Sequence, residues 1–373
     1  MKILITAPSL DENENVSGIS TLVREIIEHG TADFYHFQAG RSDKEKNSAK
    51  WILRQIFVVP RFWLMIRREN VDVVHINTAL VPLSIIRDAA LTLSAKLAGR
   101  PVLLHPNGGR FLMEEFESRP LAWITEKMFR LASKVLVLSE HEKESVTRRW
   151  KNLDVRILPN AIATDQTISR KDDGGERAII FLGRIHESKG LHEIIEACRI
   201  LKNENLQFRF GCFGAGPLKD FFIAEMTKIL GEKFYYGGVI SGAEKWKQLA
   251  NSDVFLLPSR YGEGLPLAML EAMAAGCVPV AGDVASVRAV IKDGTNGFMV
   301  EPYNIPQIAE KLKILLSNKT DWEALRRNAR KTVEEKFAIS EYIRKLESLY
   351  AEIKVNRKAS AKNRNAGRNV ELQ

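Results

Sequence analysis

Short, almost continuously apolar runs alternate with longer amphipathic segments along nearly all of the 373 residues. Runs of this kind predict parallel strands that helices cover on both faces. In the first half the predicted strands are Lys2–Thr6, Val71–Ile76, Pro101–His105, Lys134–Leu138 and Val155–Leu158. In the second half they are Ala178–Leu182, Gln207–Phe213, Phe234–Tyr236, Val254–Leu257 and Val278–Ala281. The alternation therefore predicts an α/β chain of two doubly wound, Rossmann-like domains.

A polar stretch from Thr164 to Arg177 divides the two halves and has the composition of a linker. We therefore predict an N-terminal domain over residues 1–160 and a C-terminal domain over residues 161–338. A ligand site between them would face the carboxyl ends of both sheets. A helix over about residues 339–353 follows. Residues 354–373 hold six cations and one acid among Asn, Ala and Ser, which predicts a basic disordered tail.

Composition narrows the class of protein. The three cysteines are too few for a disulfide scaffold and lack the C-x-x-C spacing typical of zinc sites. No run of 18 apolar residues occurs, and the apolar stretch at the N-terminus is too short for a secretory signal. More than half of the net charge of +9 falls on the tail, and no nucleic-acid-binding motif accompanies it. We expect a cytoplasmic protein that binds no nucleic acid.

One candidate binding segment follows the first predicted strand of the second half. Gly183 and Arg184 come directly after that strand, and Lys189 precedes the glycine that opens the next helix. The guanidinium fork of arginine and the point charge of lysine both suit a phosphate or diphosphate. Two solvated surface cations are the alternative. The position at the carboxyl end of a parallel strand favours a binding role.

Two carboxylates eight residues apart form the most specific motif. Glu263 lies in a glycine-flanked loop after a predicted strand, and Glu271 lies near the start of the following helix. A helix N-terminus presents free N–H groups and the positive end of its dipole to an anion. Carboxylates beside it can accept hydrogen bonds from the vicinal hydroxyls of a sugar or ribose. A solvated loop acid and a dipole-stabilising acid are the alternatives, and the flanking residues favour the sugar-binding interpretation.

The first half adds two weaker candidates. Gly18 lies at a helix start, where a glycine lets backbone N–H groups approach an anion. A plain turn in which Ser20 caps the helix is the alternative. The loop lacks G-x-G-x-x-G, so a nicotinamide site is not supported. His105 ends an apolar strand before Pro-Asn-Gly-Gly, which makes it a candidate for the cleft, with a structural histidine as the alternative.

Together these segments resemble glycosyltransferase family 4, whose members are retaining, use nucleotide sugars and have the GT-B architecture of two Rossmann-like domains across a cleft. The resemblance extends over about residues 1–352 and is strongest from Gly183 to Val300. There, GRIHESKG is similar to the family's Gly-Arg…Lys-Gly segment, and EGLPLAMLE to its Glu-x7-Glu motif. GCFGAGP at 211–217 resembles its glycine-rich turn, and ILPNAI at 157–162 resembles the usual interdomain entry. The stretch SRYGEGLPLAMLEAMAAGCVPV is close to bacterial surface-polysaccharide transferases.

The resemblance implies four catalytic residues. Arg184 and Lys189 would hold the donor diphosphate and stabilise the leaving nucleoside diphosphate. Glu263 would contact the donor sugar. His105 matches the family's histidine on the acceptor or sugar side.

The resemblance also implies a donor site built largely from backbone. Glu271 would bind the ribose hydroxyls, and the backbone of Val239 and Ile240 would read the base. The full implied donor-binding set is Gly18, Gly183, Val239, Ile240, Gly264, Leu265 and Glu271. In this set the amides of Gly264 and Leu265 would bind sugar hydroxyls, and Gly18 would let its loop approach the β-phosphate. The helix near 339–353 is similar to the one that packs back on the N-terminal domain.

At two positions this sequence departs from the family pattern, and the family's residue roles are not transferred there in full. Ser17 stands where a glycine is common, so this loop has one glycine rather than two for a close approach to a phosphate. Pro266 follows Gly264-Leu265 and has no N–H, so one backbone donor to the sugar is missing and the donor sugar is not implied. The chain has no Asp-x-Asp, which together with the two cations predicts no metal or cofactor. No nucleophile–base pair is evident either, which is typical of front-face displacement with retention.

The resemblance also leads to an expectation about the acceptor. We expect hexosyltransferase-type transfer to an oligosaccharide or a lipid-linked acceptor. Residues 50–68 mix aromatic and aliphatic side chains with five cations and no acid, which suits an anionic membrane surface. A helix that packs on the sheet and is interrupted at Pro60 is the alternative. With the basic tail, this segment predicts peripheral association with the inner face of the membrane.

A catalytically silent protein on the same fold, which binds nucleotide sugars without turnover, is the alternative function. The retained set of four charged residues argues against it, because a silent copy need not keep all of them. These residues are Arg184, Lys189, Glu263 and Glu271.

Overall fold

The structure, a computed structural model, describes residues 1–12, 14–40, 57–108, 110–114, 116, 118–164, 176–317 and 321–370. The chain forms two compact units. The first combines Met1–Pro159 with Ile339–Gln373, and the second is Asn160–Ala338. The first unit thus gives way to the second one residue before the predicted boundary. Residues 165–175 of the linker and 50–56 of the predicted membrane segment lie outside the described residues.

The described part of the first unit contains a parallel sheet of six strands in the order β2-β1-β3-β4-β5-β6. The central strand β3, VVHINT, is buried at every position, as expected of a strand covered on both faces. The strands are β1 Lys2–Ala7, β2 Asp33–Gln38, β3 Val73–Thr78, β4 Val102–Pro106, β5 Lys134–Val137 and β6 Val155–Ile157.

Helices cover both faces of this sheet. They are α1 Gly18–His29, α2 Val58–Glu69, α3 Pro82–Leu97, α4 Arg110–Met113, α5 Arg119–Leu131 and α6 Glu140–Arg149. The buried sides of α2, α3, α5 and α6 join one apolar core with sheet residues such as Val74 and Leu104. Because α2 contacts α3 and α3 contacts α5, these three helices lie side by side against one face of the sheet.

The second unit contains a second parallel sheet, with six strands among the described residues, in the order β12-β11-β10-β7-β8-β9. Its neighbours β7 and β10 lead into connections that run toward opposite edges, so a topological switch point lies between them. The strands are β7 Ala178–Leu182, β8 Arg209–Phe213, β9 Phe234–Gly238, β10 Val254–Leu257, β11 Val278–Gly282 and β12 Phe298–Val300.

The helices of the second unit follow its strands. They are α7 Leu191–Asn203, α8 Lys219–Leu230, α9 Gly242–Ala250, α10 Leu267–Ala274, α11 Ile305–Leu316 and α12 Trp322–Lys336. The long C-terminal helix, α13 Ile339–Val370, belongs to the first unit. Short 3-10 turns lie at Glu187–Lys189, Gly231–Lys233 and Ala285–Ala289. Helix α13 contacts α1 and β3 of the first unit.

Three elements differ from the sequence predictions. The edge strands β2 and β12 were not predicted, because β2 is largely polar and half-buried and β12 is only three residues long. The described part of the segment 50–68 is helix α2, whose Val58, Phe62 and Ile66 are buried. Pro60 does not interrupt this helix, since it lies in the first turn, where a missing N–H costs no hydrogen bond.

The prediction of a disordered tail is wrong for residues 354–370, because α13 continues to Val370. Lysine, arginine and alanine are good helix formers, and extending an existing helix avoids the cost of nucleation. Residues 371–373 lie outside the described residues. Within the described ranges, no helix is both long enough and apolar enough to cross a membrane.

Candidate active site

The loops that follow β7 and β10 meet at the switch point of the second sheet, where open α/β sheets bind ligands. The backbone N–H of Arg260 donates to the carbonyl oxygen of Ser188 at 2.8 Å. Gly190 has a φ of 74°, and a Cβ there would lie 2.1 Å from the carbonyl oxygen of Pro258. Only glycine therefore allows the two loops to approach this closely.

Lys189 and Glu263, predicted separately from the two loops, form an ion pair. The ammonium of Lys189 lies against Oε1 of Glu263, and the hydroxyl of Ser259 donates to the same oxygen at 2.7 Å. Both charged side chains are mostly buried. Charge-assisted hydrogen bonds of this kind fix the carboxylate in place beside the loops that follow β7 and β10.

Glu271 lies one turn into α10, whose N-cap position is Pro266 and carries no side-chain cap. Its carboxylate accepts a hydrogen bond from Nζ of Lys245 at 2.7 Å, and both side chains are mostly buried. The free N–H groups of the first turn and the positive end of the helix dipole favour an anion here. Lys245, on α9, was not found by sequence reasoning, because nothing in the sequence distinguishes it from Lys247.

Arg184 is exposed just after β7, and it makes no ion pair with any residue that the structure describes. The N–H of Gly183 donates to the carbonyl oxygen of Phe213 at 3.0 Å, so this amide is already used. Gly214 has a φ of 137°, and a Cβ there would lie 1.9 Å from the carbonyl oxygen of Gly183. Gly183 therefore contributes a close backbone approach rather than a free donor.

The Gly264-Leu265 segment is anchored from the start of the second unit. Nδ2 of Asn160 donates to the carbonyl oxygen of Leu265 at 2.7 Å, and Leu265 is buried. The anchor fixes the direction of the backbone just before α10. Asn160 lies within the ILPNAI segment, but the sequence does not predict it as a site residue.

Val239 and Ile240 directly follow β9, at the same carboxyl edge of the sheet. Val239 is exposed and Ile240 is half-buried. The preceding Gly238 has a φ of 73°, and its carbonyl oxygen accepts from the N–H of Gly214 at 2.7 Å. The left-handed φ of Gly238 thus ends β9 with a turn that favours glycine, and Val239 lies exposed directly after it.

Arg260 is a cation of the same loop that is committed to structure. Its guanidinium donates two hydrogen bonds to Glu193, at 2.7 and 3.0 Å, and lies 4.8 Å from the ring centre of Tyr303. A bidentate pair of this geometry is strong and directional. Arg260 therefore fastens the loop after β10 onto α7 and is not a free cation for a ligand.

Gly18 is the first residue of α1 in the first unit. Ser17, not Ser20, is the N-cap, and its hydroxyl accepts from the N–H of Ser20 at 3.4 Å. Oδ1 of Asn15 accepts from the N–H of Ser17 and from the hydroxyl of Ser20, each at 2.9 Å. The loop before α1 is thus organised by its own side chains, with Gly18 at a helix N-terminus as predicted.

His105 is fully buried at the end of β4, so its imidazole is not exposed to solvent. Its Nδ1 lies 3.3 Å from Nε2 of His75, and the two rings stack. Nδ1 of His75 shares a hydrogen bond of 2.7 Å with the hydroxyl of Tyr350. Burial lowers the pKa of His105 to about 3, so the ring is neutral at pH 7. Its Nε2 is buried and has no hydrogen-bond partner among the described residues.

The structure thus gathers nine of the predicted site residues on the second unit, and Gly18 and His105 belong to the first. At the switch point two lysines neutralise two carboxylates, while Arg184 remains an exposed cation. The arrangement can bind an anion at the uncapped start of α10 and hydroxyl groups at the fixed carboxylates.

Comparison with known proteins finds a glycosyltransferase family profile for each half of the chain. The family profile described as "Glycosyltransferase Family 4" matches residues 22–166, and that of "Glycosyl transferases group 1" matches residues 164–332. The chain belongs to glycosyltransferase family 4. It is therefore a glycosyltransferase, as the sequence predicted.

Two curated relatives are similar over different lengths. Alpha-D-kanosaminyltransferase of Streptomyces kanamyceticus is 27% identical over 286 residues, which cover 70% of this chain and 73% of the relative. The putative colanic acid biosynthesis glycosyltransferase WcaL of Salmonella typhimurium is 35% identical over 156 residues. That match covers 39% of this chain and only 37% of WcaL. The relatives therefore include enzymes of bacterial polysaccharide biosynthesis.

A solved structure of the same fold is that of Anabaena HepE in complex with UDP-glucose. It superimposes with a TM-score of 0.76 and covers 94% of this chain and 100% of that chain, at 16% sequence identity. At this identity the likeness concerns the fold alone. The predicted GT-B fold of two Rossmann-like domains is confirmed.

Proposed function

We propose that this glycosyltransferase moves a sugar from a nucleoside-diphosphate sugar to an acceptor hydroxyl, with retention at the anomeric carbon. The observation that carries the proposal is the pair of fixed carboxylates, Glu263 and Glu271, on either side of the uncapped start of α10. A diphosphate suits the helix N-terminus, and the carboxylates suit hydroxyls of the donor sugar and the ribose. HepE, a structural neighbour, binds UDP-glucose.

In this proposal Arg184 and Lys189 hold the diphosphate and stabilise the negative charge that develops on it as the glycosidic bond breaks. Arg184 is exposed and unpaired among the described residues, so its charge is available to the ligand. Lys189 would exchange part of its contact with Glu263 for a phosphate oxygen. Glu263 would then be free to accept a hydrogen bond from the donor sugar.

The remaining donor contacts are proposed at backbone positions. Gly264 and Leu265 would offer amides to the sugar, Val239 and Ile240 would contact the base, and Gly18 would let its loop approach the β-phosphate. Gly183 would provide close approach only, since its N–H is engaged. In this proposal His105 serves on the sugar or acceptor side, and it does so as a neutral group because burial keeps its imidazole uncharged at pH 7.

We also propose that the reaction needs no metal. Glu263 and Glu271 each pair with a lysine, so neither carboxylate is set up as a ligand for a divalent cation. In front-face displacement the leaving phosphate oxygen takes the proton of the acceptor hydroxyl, and no protein nucleophile is required. Activity that survives full chelation would support this part of the proposal, and strict loss with recovery on adding a divalent cation would overturn it.

The proposed acceptor is a growing surface polysaccharide or its lipid-linked precursor. Support comes from WcaL, whose name places it in colanic acid biosynthesis, although the match covers less than half of that protein. Product analysis with a lipid-linked acceptor, after a thermal-shift screen of nucleotide sugars, tests this assignment.

The proposal predicts that Lys189→Ala and Glu271→Ala each lower the transfer rate at least about a hundredfold, a loss typical of removing a group that stabilises developing charge or fixes the donor. The rate is measured as release of nucleoside diphosphate in the presence of acceptor. Lys247→Ala, an exposed lysine of α9, is the matched control and should keep the wild-type rate. Near-normal rates in both site variants would reject the assignment. Wild-type protein that binds the donor but never turns it over would favour the silent alternative.

A further inference from the structure

One side of helix α3 carries an exposed apolar stripe. Leu83, Ile86, Leu93 and Leu97 are all exposed, Leu83 and Leu97 to 72% and 70%. Their spacing of three, seven and four residues places them on one side of the helix. The opposite side of α3 is buried in the first unit's core. A helix that meets water on its outer side would carry polar residues there, so this stripe indicates a further partner.

The two helices beside α3 extend this apolar face. Both α2 and α5 contact α3 and bury their inner sides in the same core, so their exposed sides also point away from the sheet. Helix α2 exposes Leu64, and α5 exposes Trp123. We call the exposed sides of α2, α3 and α5 the three-helix face.

The exposed charges on the three-helix face are cations, and two of them, Arg68 and Arg130, pair with the half-buried Glu69 and Glu126. The acids of these helices are not exposed, since Asp88 is buried and Glu69 and Glu126 are half-buried. The cations, by contrast, are exposed. They are Arg61, Arg67, Arg68, Lys96, Arg119, Lys127 and Arg130.

We propose that the three-helix face docks on an anionic lipid bilayer. Apolar side chains with a tryptophan suit the boundary between headgroups and acyl chains, and the surrounding lysines and arginines suit anionic headgroups. A second copy of this chain is less suited, because pairing two such faces would oppose cations with cations. The proposal does not depend on which sugar is transferred. It extends beyond the segment 50–68 to α3 and α5, which the sequence pattern did not single out.

The test is flotation of the full chain with phosphatidylcholine vesicles, with and without phosphatidylglycerol. Wild-type protein should bind the vesicles that contain phosphatidylglycerol, and added salt should weaken the binding by screening. Two variants separate the apolar and the charged contributions. The double variant Leu83→Ser, Leu97→Ser and the triple variant Arg61→Gln, Lys96→Gln, Lys127→Gln should each lower the partition coefficient about tenfold or more.

Matched controls come from exposed positions of the second unit. The double variant Phe221→Ser, Ile314→Ser and the triple variant Lys228→Gln, Lys247→Gln, Lys331→Gln should bind vesicles as the wild type does. Thermal melting by circular dichroism verifies that all variants are folded. Absence of wild-type binding to anionic vesicles, or equal binding by test and control variants, would overturn the proposal. So would a wild-type dimer in sedimentation velocity that Leu83→Ser, Leu97→Ser abolishes, since the face would then belong to a second copy.

Discussion

At the scale of single residues, the carboxylate of Glu271 is held by a lysine from a different helix. Nζ of Lys245 lies 2.7 Å from Oε1 of Glu271, and both side chains are mostly buried. Removing one partner of a buried ion pair leaves an uncompensated charge, which is more costly than the pair itself is stabilising. Lys245 therefore orients Glu271 without needing to contact the donor itself.

We predict that Lys245→Met weakens the binding of a nucleoside diphosphate about tenfold, the typical value of one hydrogen bond to a charged group. The 2′,3′-dideoxy analogue lacks the ribose hydroxyls that Glu271 is proposed to bind. Its affinity should therefore be weak for the wild type and change little in the variant. Isothermal titration calorimetry with UDP or GDP and the matching dideoxy nucleotide measures both affinities.

Two further variants sharpen this prediction. Lys245→Arg keeps the charge and should recover most of the affinity, and Lys247→Met on the same helix should have no effect. An equal loss for the ribose and dideoxy ligands would contradict the positioning role and indicate that Lys245 contacts the diphosphate or supports the fold. Unchanged affinity for both ligands would reject the role of Glu271 at the ribose.

Which site residues could be predicted depended on how local their signal is. Lys189, Glu263 and Glu271 lie in short motifs whose flanking glycines mark loops at strand ends. Lys245 precedes Glu271 by 26 residues, and its pairing depends on how α9 packs against α10. His105 was predicted at a strand end, but its burial depends on neighbouring strands and on α13, which spacing along the sequence does not reveal.

At the scale of elements, helix α13 is fastened to the first unit by polar contacts as well as by its apolar side. Tyr350 bonds to His75, and His75 in turn stacks on His105. Glu352 pairs with Lys134 at 2.7 Å, and Lys134 is almost fully buried. The helix is thus seated on β3, β4 and β5 through two neutral imidazoles and a buried lysine.

The buried histidines make the packing of α13 on the sheet sensitive to acid. Burial lowers the pKa of His105 to about 3, and burial with His105 beside it lowers the pKa of His75 well below its ordinary value. In the unfolded chain both titrate near 6.5, so between these values the unfolded chain binds more protons. The free energy of unfolding should therefore have its full value above about pH 6.5 and fall as the pH decreases toward 3.

We predict that His105→Gln, which removes one of these titrations, reduces the loss of unfolding free energy between pH 7.5 and pH 5 by about 2 kcal/mol. Urea unfolding at the two pH values, followed by circular dichroism, measures this difference. Equal pH dependence in wild type and His105→Gln would contradict a neutral, buried His105.

The central strands and their helices could be predicted because burial on both faces makes their sequences apolar. Edge strands such as β2 escape this rule, since one side has no neighbour and polar residues are tolerated. The extension of α13 to Val370 was missed for a related reason. A lysine-rich sequence without an apolar side looks disordered in isolation, whereas here it continues a helix that tertiary contacts have already formed.

At the scale of the whole molecule, the two units differ in how the chain builds them. The second unit is one continuous stretch, Asn160–Ala338, whereas the first needs both Met1–Pro159 and the helix that begins at Ile339. The sequence places the boundary at residue 160, after the predicted strand that ends at Leu158, and the first unit ends at Pro159. Only the family resemblance predicted that α13 completes the first unit. The sequence pattern of a C-terminal helix does not indicate which of two sheets the helix will cover.

This division predicts different behaviour for two fragments. Residues 160–338 should fold alone, melt cooperatively and bind the nucleoside diphosphate, because the switch-point residues and their lysine partners all lie within them. Residues 1–159 alone should aggregate, because the surface that α13 covers would be exposed. The buried residues that α13 contributes include Leu346, Tyr350 and Ile353. Size-exclusion chromatography and circular dichroism of both fragments measure these outcomes.

Co-expression separates loss of α13 from a general failure of the shortened chain. Residues 339–373 supplied as a second polypeptide should restore a soluble first unit, because the contacts of Tyr350 and Glu352 do not require a covalent link. A chain ending at residue 357 is the matched control and should remain folded, since it keeps those contacts and Lys354, which pairs with Asp72. If residues 1–159 alone were as soluble and as stable as the whole chain, α13 would not be part of the first unit's core, and the acid sensitivity predicted from His75 and His105 would lose its structural basis.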